Sequence, residues 1–397
     1  MGMSDPMVLE LAAFQEREGL QALTAVLGGD AGETRLVGGA VRDTLLGLPV
    51  SDIDLATLHP PDIVMDRLRR AAIRAVPTGL AHGTVTAVLP SGPVEVTTLR
   101  RDVATDGRHA MVAYSDDWQE DAARRDFTMN ALYADTDSGA VHDFFNGLAD
   151  LAARKVRFIG DPLQRIAEDH LRILRFFRFH ARFGDAIDAV GLDACTARAN
   201  DLMALSRERV ATEMLKLLVA RRAVPVIALM VAHGILRAVL PEIDAAGVER
   251  LARLAEAEAA ADIAADPVRR LAALLPPDAA EAVGARLKLS NQQRRRLAAA
   301  SAGSGDEGPL ALGYRAGLES AIDRLLLAGE DPRPLLRWTP PRLPIGGGDL
   351  VARGLSKGPA VAAALKQVET QWIAEGFPAT ARVTAIADEV VEQALRR

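Results

Sequence analysis

The sequence predicts an α+β fold in which a small α/β head precedes a long, all-helical remainder. Residues 1–150 alternate helical periodicity with short segments of alternating apolar and polar residues, which is the pattern of strands. After Asp150 the strand patterns stop, and helical periodicity continues to the end of the chain. An aromatic content of only 4% and abundant Ala, Leu and Arg also favour helices over a β-sandwich.

Short periodic segments predict the elements of the head. We expect helices over residues 6–27, 40–46 and 61–72, and strands over residues 34–37, 52–56, 84–89 and 94–99. The turn residues at 90–93 predict that the last two strands form a hairpin. Residues 101–118 are polar and predict a loop. Residues 127–133 predict a helical or extended segment, and residues 141–144 predict the last strand of the head.

The remainder of the chain has helical patterns interrupted by helix-breaking segments. The predicted helices cover residues 162–183, 206–220, 223–233, 246–265, 266–275 and 358–375. Proline and glycine are concentrated at residues 276–277, 303–309 and 340–348, which are therefore candidate linkers between domains.

The composition excludes several classes of protein. Cys195 is the only cysteine, so the chain can form neither an internal disulfide nor a cysteine-based zinc site. The first fifteen residues do not have the pattern of a signal peptide, and no apolar stretch is long enough to span a membrane, so we expect a cytoplasmic protein. The net charge of −6 argues mildly against a nucleic-acid partner. However, the five arginines between Arg165 and Arg182 face only two acidic residues.

Residues 36–43, Leu-Val-Gly-Gly-Ala-Val-Arg-Asp, place two glycines where a predicted strand runs into a helix. Gly38 and Gly39 allow the backbone to approach a phosphate closely, and the start of a helix favours negative charge. Arg42 lies within the first turn and can reach the same phosphates. Taken alone, the glycine pair is equally well explained as a plain turn.

Three carboxylates predict a metal site. Asp52 and Asp54 are spaced i, i+2 in a predicted strand, so both side chains point to the same face. Such carboxylates repel each other unless a cation lies between them, which predicts Mg²⁺ held by carboxylates and substrate phosphates. Glu95 is a candidate third carboxylate for a two-metal nucleotidyl transfer. The alternatives are a solvated strand end for the aspartates and an outward-facing side chain for Glu95.

Two arginine-rich segments complete the set of candidates. Arg124 and Arg125 suit a triphosphate because each guanidinium offers a fork of donors, and Asp126 could orient one of them or contact a ribose hydroxyl. Four residues recur every three positions along the helix predicted over residues 162–183, namely Asp169, Arg172, Arg175 and Arg178. By themselves these four are better explained as a solvated, salt-bridged helix face. Because these four residues follow a head that contains candidate nucleotide- and metal-binding residues, we expect them to form the wall that contacts a nucleotide base.

The motifs as a set resemble the class II tRNA nucleotidyltransferase/poly(A) polymerase family, within the DNA polymerase β superfamily. The resemblance is carried by LVGGAVRD at residues 36–43, DIDLAT at 52–57, RRDFTMNAL at 124–132 and EDHLRILR at 168–175. It covers roughly residues 30–185, with a weaker match over residues 348–373. The combination is highly specific for the family and much less specific for the individual member.

The resemblance implies a role for each candidate residue. Gly38, Gly39 and Arg42 would bind nucleotide, Asp52 and Asp54 would bind Mg²⁺, and an arginine of the 124–125 pair would contact the triphosphate. Asp169 and Arg172 would read the base, with Arg175 and Arg178 in support. The resemblance also implies a nucleotidyltransferase head with a mixed sheet (residues 1–150), a helical neck for base recognition and RNA binding (151–220), and a helical body and tail that hold tRNA (221–397). Residues 101–117 match the flexible element that such enzymes use when they switch to the last A.

The activity implied is template-independent CCA addition, in which C, C and A from CTP and ATP are added to the 3′ end of tRNA with release of pyrophosphate. A poly(A) polymerase, or an enzyme that adds only CC or only A, is the nearest alternative because the motifs are nearly shared. The sequence has no arginine-rich tail, which favours CCA addition. Its only His-Asp pair lies at residues 142–143 in the head, so we expect no phosphohydrolase domain. A catalytically inactive RNA-binding scaffold is disfavoured because Asp52 and Asp54 are both present.

Overall fold

The computed structural model describes residues 7–106 and 109–396, with the backbone alone for residues 102–106 and 109–112. The chain forms two compact units, the first ending at Val239 and the second beginning at Leu240. All strands of the described residues lie in the first unit, and the second is helical, which confirms the α+β prediction. The division into head, neck, body and tail at residues 150 and 220 stays a prediction.

The first unit is built on a seven-stranded mixed sheet with the order β3-β4-β5-β2-β1-β8-β9. Its strands are β1 Thr34–Val37, β2 Asp54–Thr57, β3 Arg74–Gly79, β4 Thr84–Leu89, β5 Gly92–Thr98, β8 Leu132–Asp135 and β9 Val141–Asp143. Only β2 and β5 pair in parallel, and the other neighbours are antiparallel. A separate antiparallel hairpin joins β6 Arg100–Asp106 to β7 His109–Tyr114.

Helices surround the sheet and complete the first unit. They are α1 Ala12–Gln15, α2 Leu20–Val26, α3 Gly39–Leu45, α4 Pro61–Arg70, α5 Trp118–Ala123, α6 Gly147–Ala152, α7 Pro162–Glu168, α8 Leu171–Phe183, α9 Ala189–Ala197, α10 Arg207–Leu218 and α11 Ala223–Ala232. Side-chain caps mark several starts, because Asp161 accepts a hydrogen bond from Leu163 N and Ser206 accepts one from Arg209 N. The helices predicted over residues 40–46, 61–72, 206–220 and 223–233 are confirmed within a few residues.

The second unit contains only helices among the residues described. They are α12 Ala245–Ala260, α13 Pro267–Leu274, α14 Ala280–Arg286, α15 Asn291–Ala300, α16 Pro309–Ala316, α17 Leu318–Ala328, α18 Arg333–Leu336, α19 Gly347–Ala352, α20 Pro359–Ala374 and α21 Thr380–Leu395. The helices predicted over residues 266–275 and 358–375 are confirmed. The helix predicted over residues 246–265 ends earlier, because the backbone at Asp262 turns to a φ of 53°.

Two long helices predicted from periodicity are interrupted. The one over residues 6–27 is wrong because Gly19, with a φ of 87°, separates α1 from α2. The one over residues 162–183 is wrong because Asp169 has an extended backbone, with φ −151° and ψ 105°. The Asp169 carboxylate accepts a hydrogen bond from Leu171 N, so this residue serves the start of α8 instead of continuing α7.

Three predictions about strands also need correction. Residues 101–118 do not form a loop throughout, because most of them form the β6–β7 hairpin and the start of α5. Strand β3 was not predicted, since it lies at the edge of the sheet, is largely exposed and lacks an alternating apolar pattern. The strand predicted over residues 52–56 begins at Asp54, so Asp52 lies in the segment before it.

An aromatic cluster fills the space between α8 and the segments that flank it. Phe127, Phe158 and Phe176 are fully buried, with the Phe158 and Phe176 rings stacked at 5.4 Å. Ile173, Leu174 and Phe177 of α8 and Leu132 of β8 are also fully buried. The apolar side of α8 is thus packed, which leaves its arginines on the other side. No helix within residues 7–106 and 109–396 is long and apolar enough to cross a membrane.

Candidate functional site

A cavity of about 420 Å³ opens in the first unit, between the start of α3 and the polar side of α8. Its lining is dominated by charged side chains and contains few apolar ones. The lining residues are Gly38, Gly39, Arg42, Asp54, Arg125, Asp126, Asn130, Asp169, Leu171, Arg172, Arg175, Phe179 and Arg209. Eight of the predicted site residues therefore share one cavity, although they come from four separated segments of the chain.

The glycine pair forms a wall of bare backbone. Gly38 follows β1 with φ 64° and ψ −115°, a conformation that glycine adopts without the strain that a side chain would introduce. A methyl group at this position would lie 3.5 Å from Nη1 of Arg125. The turn therefore brings backbone and a guanidinium together at one place, where an anionic group can be held.

Arg42 is buried beside this turn. Its Nε donates to Asp43 Oδ1 at 2.8 Å, and its Nη1 donates to Asn130 Oδ1 at 2.5 Å. The guanidinium also lies 4.3 Å from the centre of the Phe183 ring. Burial lowers the pKa of Arg42, and the Asp43 carboxylate opposes that effect. The side chain is thus a fixed cation at the cavity wall.

Arg125 is the member of the arginine pair that reaches the cavity. Its Nε donates to the Tyr133 hydroxyl at 3.0 Å and its Nη2 to Asp121 Oδ2 at 3.0 Å. Burial opposes the positive charge, but Tyr133 and Asp121 outweigh burial and raise the pKa of Arg125. Arg124 also pairs with Asp121, at 2.8 Å, yet its side chain does not line the cavity.

Asp121 is the buried carboxylate that positions both arginines. Burial alone would raise its pKa, but the two guanidinium groups and the Tyr133 hydroxyl hold the pKa at about 2. Its side chain is only 1% exposed, so the anion persists because it is surrounded by donors. The sequence analysis did not assign a role to this residue.

The carboxylates predicted to hold a metal lie at the side of the cavity. Asp54 lines it, and the parallel register of β2 and β5 sets Asp54 directly beside Glu95. Burial raises the pKa of Asp54, and the charge of Glu95 raises it further, with a smaller contribution from Asp52. Asp52 and Glu95 do not themselves line the cavity. Asp52 is exposed and accepts a hydrogen bond from Ser51 Oγ at 2.9 Å.

This group of carboxylates suits a hard cation that is also held by a ligand. Burial and, to a smaller extent, the neighbouring carboxylates disfavour the ionised form of Asp54 and raise its pKa. A divalent cation would offset that charge, and oxygen ligands are those that Mg²⁺ prefers. Within the described part of the chain, no three carboxylate, histidine or cysteine side chains converge on one ion position. Such a cation would therefore need oxygen ligands from outside the chain, such as phosphates.

Asp169 and Arg172 lie at the end of the cavity formed by α7 and α8. They do not pair with each other as helix neighbours, because Asp169 precedes α8. The Asp169 carboxylate instead accepts from Arg209 Nη2 at 2.8 and 3.1 Å. Arg172 donates from Nη1 to Arg165 O and Glu168 Oε2, and from Nη2 to Arg124 O at 3.1 Å. These three bonds fix the Arg172 guanidinium and leave two of its five N–H donors for a ligand.

Arg175 and Arg178 have different surroundings. Arg175 lines the cavity and donates twice to Asp126 Oδ2, at 2.8 and 2.5 Å. Arg178 donates to Glu213 of α10 at 2.5 Å and does not line the cavity. Asn130 donates to Asp126 Oδ1, so a continuous set of hydrogen bonds links the side chain of Arg42 to that of Arg175.

The structure also brings in residues that the sequence analysis did not single out as site residues. Arg209 of α10 reaches Asp169 from 40 positions away, and nothing in its local sequence identifies it. Asn130 lies within the RRDFTMNAL segment but was not given a role. Phe179 and Leu171 were indistinguishable from the packed side of α8. Arg209 reaches the cavity because α8 and α10 pack together.

Two protein-family models match separate segments of the chain. A family model described as "Poly A polymerase head domain" matches residues 34–157. A second model, described as "Probable RNA and SrmB- binding site of polymerase A", matches residues 186–246.

Curated relatives and solved structures extend the match to nearly the whole chain. A mouse protein named CCA tRNA nucleotidyltransferase 1, mitochondrial, is 36% identical over 94% of this chain and 90% of its own length. A CCA-adding enzyme of Levilactobacillus brevis is 42% identical over 47% of this chain and 46% of its own length. The crystal structure of the Bacillus stearothermophilus CCA-adding enzyme in complex with CTP is 29% identical, with a TM-score of 0.72 over 89% of this chain and 92% of that one.

Proposed function

This chain belongs to the tRNA nucleotidyltransferase/poly(A) polymerase family, and on that premise we propose that it is a CCA-adding enzyme. It transfers C, C and A from CTP and ATP to the 3′ end of tRNA and releases pyrophosphate at each step. The observation that carries the proposal is the cavity of the first unit, because it combines arginine donors, the Asp54 carboxylate and a polar wall that contains Asp169 and Arg172. The full-length similarity to an enzyme named for this activity supports the same conclusion.

The triphosphate is bound at the glycine turn. Gly38 and Gly39 expose backbone, and Arg42 and Arg125 supply guanidinium groups at the same place. Both arginines are held by partners that leave them in one orientation, so little side-chain entropy is lost when phosphate binds. Arg124 contributes to this arrangement through its ion pair with Asp121 and through its carbonyl, not by touching the phosphates.

Enzymes of this family are metal-dependent, and we propose that Asp52 and Asp54 hold Mg²⁺ here, with Glu95 as a further carboxylate beside them. When bound, Mg²⁺ supplies a Lewis acid that favours the ionised form of the attacking hydroxyl and stabilises the charge on the leaving group. The residues of the chain bind and orient the reacting groups. Arg42 and Arg125 align the α-phosphate of the nucleotide for attack by the 3′ hydroxyl of the tRNA.

Asp169 and Arg172 select the base. Cytosine and adenine each present an amino donor next to a ring acceptor, which complements a carboxylate next to a guanidinium. Uracil and guanine present a carbonyl and an N–H in those places, so each would set acceptor against acceptor and donor against donor. The free donors of Arg172 and the half-exposed carboxylate of Asp169 support this role. One protein pair can thus accept C and A without a template.

Two further arginines position carboxylates that line the cavity. Arg209 of α10 holds the Asp169 carboxylate, and Arg175 holds the Asp126 carboxylate in the cavity wall. Arg178 acts one step further away, through Glu213. tRNA is the proposed macromolecular partner, bound mainly by the helical residues after Asp150. The cytoplasmic location stays a prediction.

A substrate experiment tests the proposal directly. The purified protein is incubated with tRNA that lacks its 3′ CCA, with CTP alone, ATP alone, or both nucleotides together. We expect two additions with CTP alone and three with both nucleotides. Long A tails with ATP alone would identify a poly(A) polymerase instead. A product that stops at CC in the presence of both nucleotides would identify a CC-adding enzyme.

A further inference from the structure

The second unit contains a cationic groove that no step of the proposed reaction uses. Its cavity volume is about 370 Å³, and its walls come from α12, α13, α15 and α17. Three arginines line it, Arg250 and Arg253 on α12 and Arg324 on α17. We call this cavity the arginine groove. All of its lining residues lie between Arg250 and Gly329, within the second unit.

The three arginines of the groove have no carboxylate partner at ion-pair distance in the described structure. Arg250 donates to the carbonyl oxygens of Ala273 and Leu274, at 2.9 and 3.3 Å, and Arg324 donates to that of Gly303. Carbonyl oxygens carry only partial charge, so they orient the guanidinium groups without cancelling them. Other arginines of this unit, including Arg269 and Arg296, are paired with carboxylates.

The charged side chains in the lining of the groove are all arginines, set among aliphatic side chains such as Leu254 and Leu326. The lining contains no acidic residue and no aromatic ring, and Ser301 adds a hydroxyl. Nearby carboxylates in the sequence lie outside the lining, namely those of Glu249, Glu256, Asp278 and Glu330. A site that bound a nucleobase would be expected to offer a stacking surface. Guanidinium forks without such a surface match phosphate oxygens.

We propose that the arginine groove binds phosphate groups of the RNA sugar-phosphate backbone, as a second anion site separate from the nucleotide cavity. The inference rests on the proposed function, because it assumes that the chain binds RNA. Two of the arginines also hold backbone carbonyls, including those at the end of α13, which by itself would be a purely structural role. Arg253 is exposed and has no such partner in the described structure, so it separates the two explanations.

The experiment compares Arg253→Glu with Arg295→Glu in the full-length protein. Arg295 is a matched control because it is an exposed arginine on α15, forms no ion pair in the described structure and does not line the groove. Affinity for tRNA lacking CCA is measured over a range of salt concentrations. We expect Arg253→Glu to weaken binding about three- to thirtyfold and to reduce the slope of log affinity against log salt by about one, with a much smaller change for the control.

A second measurement distinguishes phosphate groups of RNA from free phosphate as the ligand of the groove. It does not require nucleotide addition, so it tests the groove even if the proposed function is wrong. The melting temperature of each protein is followed with inorganic phosphate against chloride at equal ionic strength. If the variant loses phosphate stabilisation but keeps its RNA affinity, the groove binds free phosphate and the RNA source is overturned. If neither measurement separates Arg253→Glu from Arg295→Glu, the inference is wrong. CTP addition by the wild-type protein reports separately on the proposed function.

Discussion

The nucleotide cavity of the first unit and a buried ion network of the second unit use the same residue types in different ways. The ion network is defined by Arg269, Arg296, Glu258, Asp266 and Asp323, which join α12, α13, α15 and α17. Arg269 is 4% exposed and donates to Glu258, Asp323 and the carbonyl of Ala264. The nitrogens of its guanidinium group therefore all donate to groups inside the protein.

In the nucleotide cavity, by contrast, arginines are held by partners and also line open space. Arg172 illustrates the difference, since three bonds fix its guanidinium and two donors remain. The comparison shows that the presence of an arginine–carboxylate pair does not by itself indicate whether the pair stabilises the fold or binds a ligand. A pair whose donors are all satisfied stabilises packing, whereas a pair with unused donors at a cavity wall is prepared to bind a ligand.

The largest effect is expected at Asp54, because this carboxylate is a proposed ligand of the Mg²⁺ that takes part in nucleotidyl transfer. Asp54→Ala should lower nucleotide addition by about a thousandfold or more, because a bound metal contributes several kcal/mol to the transition state. Thermal stability and tRNA affinity should stay near wild type, since this carboxylate is already under repulsion from Glu95. Single-turnover rates at saturating Mg²⁺ measure the loss. Substantial residual activity would contradict the metal assignment.

In the ion network, we expect a substitution to lower stability and to leave the activity of the folded protein unchanged. Arg269→Met removes one of the two arginines that pair with each of the buried carboxylates Glu258 and Asp323, so the free energy of unfolding should fall by about 3 kcal/mol. Nucleotide choice by the folded fraction should not change. Urea denaturation measures the loss, with Arg315→Met as the control. Its ion pair with Glu307 is at the surface, so that change should cost less than about 1 kcal/mol.

At Asp169 the expected effect is on selectivity and not on folding. Asp169→Ala removes the acceptor for the amino group of C and A, so discrimination against UTP and GTP should fall by about 1–3 kcal/mol, or roughly 5- to 150-fold. Incorporation rates for the four nucleotides on one tRNA measure this. The competing explanation, in which Asp169 and Arg209 form only a half-exposed surface pair, predicts an unchanged ratio of CTP to UTP use.

The smallest expected effect is the pH dependence of stability at Asp121, the carboxylate that positions Arg125. Its pKa is about 2 in the folded protein against 3.8 in the reference state. The ionised form is therefore favoured by folding, and the resulting stability, about 2 kcal/mol, is present above pH 4 and lost as the pH falls towards 2. Asp121→Asn should remove this contribution, so that the free energies of unfolding of variant and wild type converge in acid.

The control for Asp121 is Asp116→Asn, at an exposed position. It should follow the wild-type profile throughout the acid range. A wild-type profile that stayed flat between pH 4 and 2, or an Asp121→Asn profile with the same slope as wild type, would contradict the positioning role.

Much of the site was predictable because its parts lie in short local segments. The glycine turn, Asp54, Arg125 and the α8 arginines all stand in segments whose residue types and spacing already indicate phosphate and cation chemistry. Arg209 was not predictable, because its contact with Asp169 depends on how α10 packs against α8. The break at Asp169 was also missed, since the apolar period continues through it while the carboxylate caps α8.

The sequence by itself determined the α/β head followed by a helical remainder, the absence of an internal disulfide, and the set of charged residues available for a site. Only the tertiary structure decided which of those residues serve it. Arg125 reaches the cavity and its neighbour Arg124 does not, and Arg175 lines it while Arg178, one turn later, is paired with Glu213. The physical reason is that a pattern specifies residue type and spacing. The direction of each side chain follows from packing and from the partners that satisfy it.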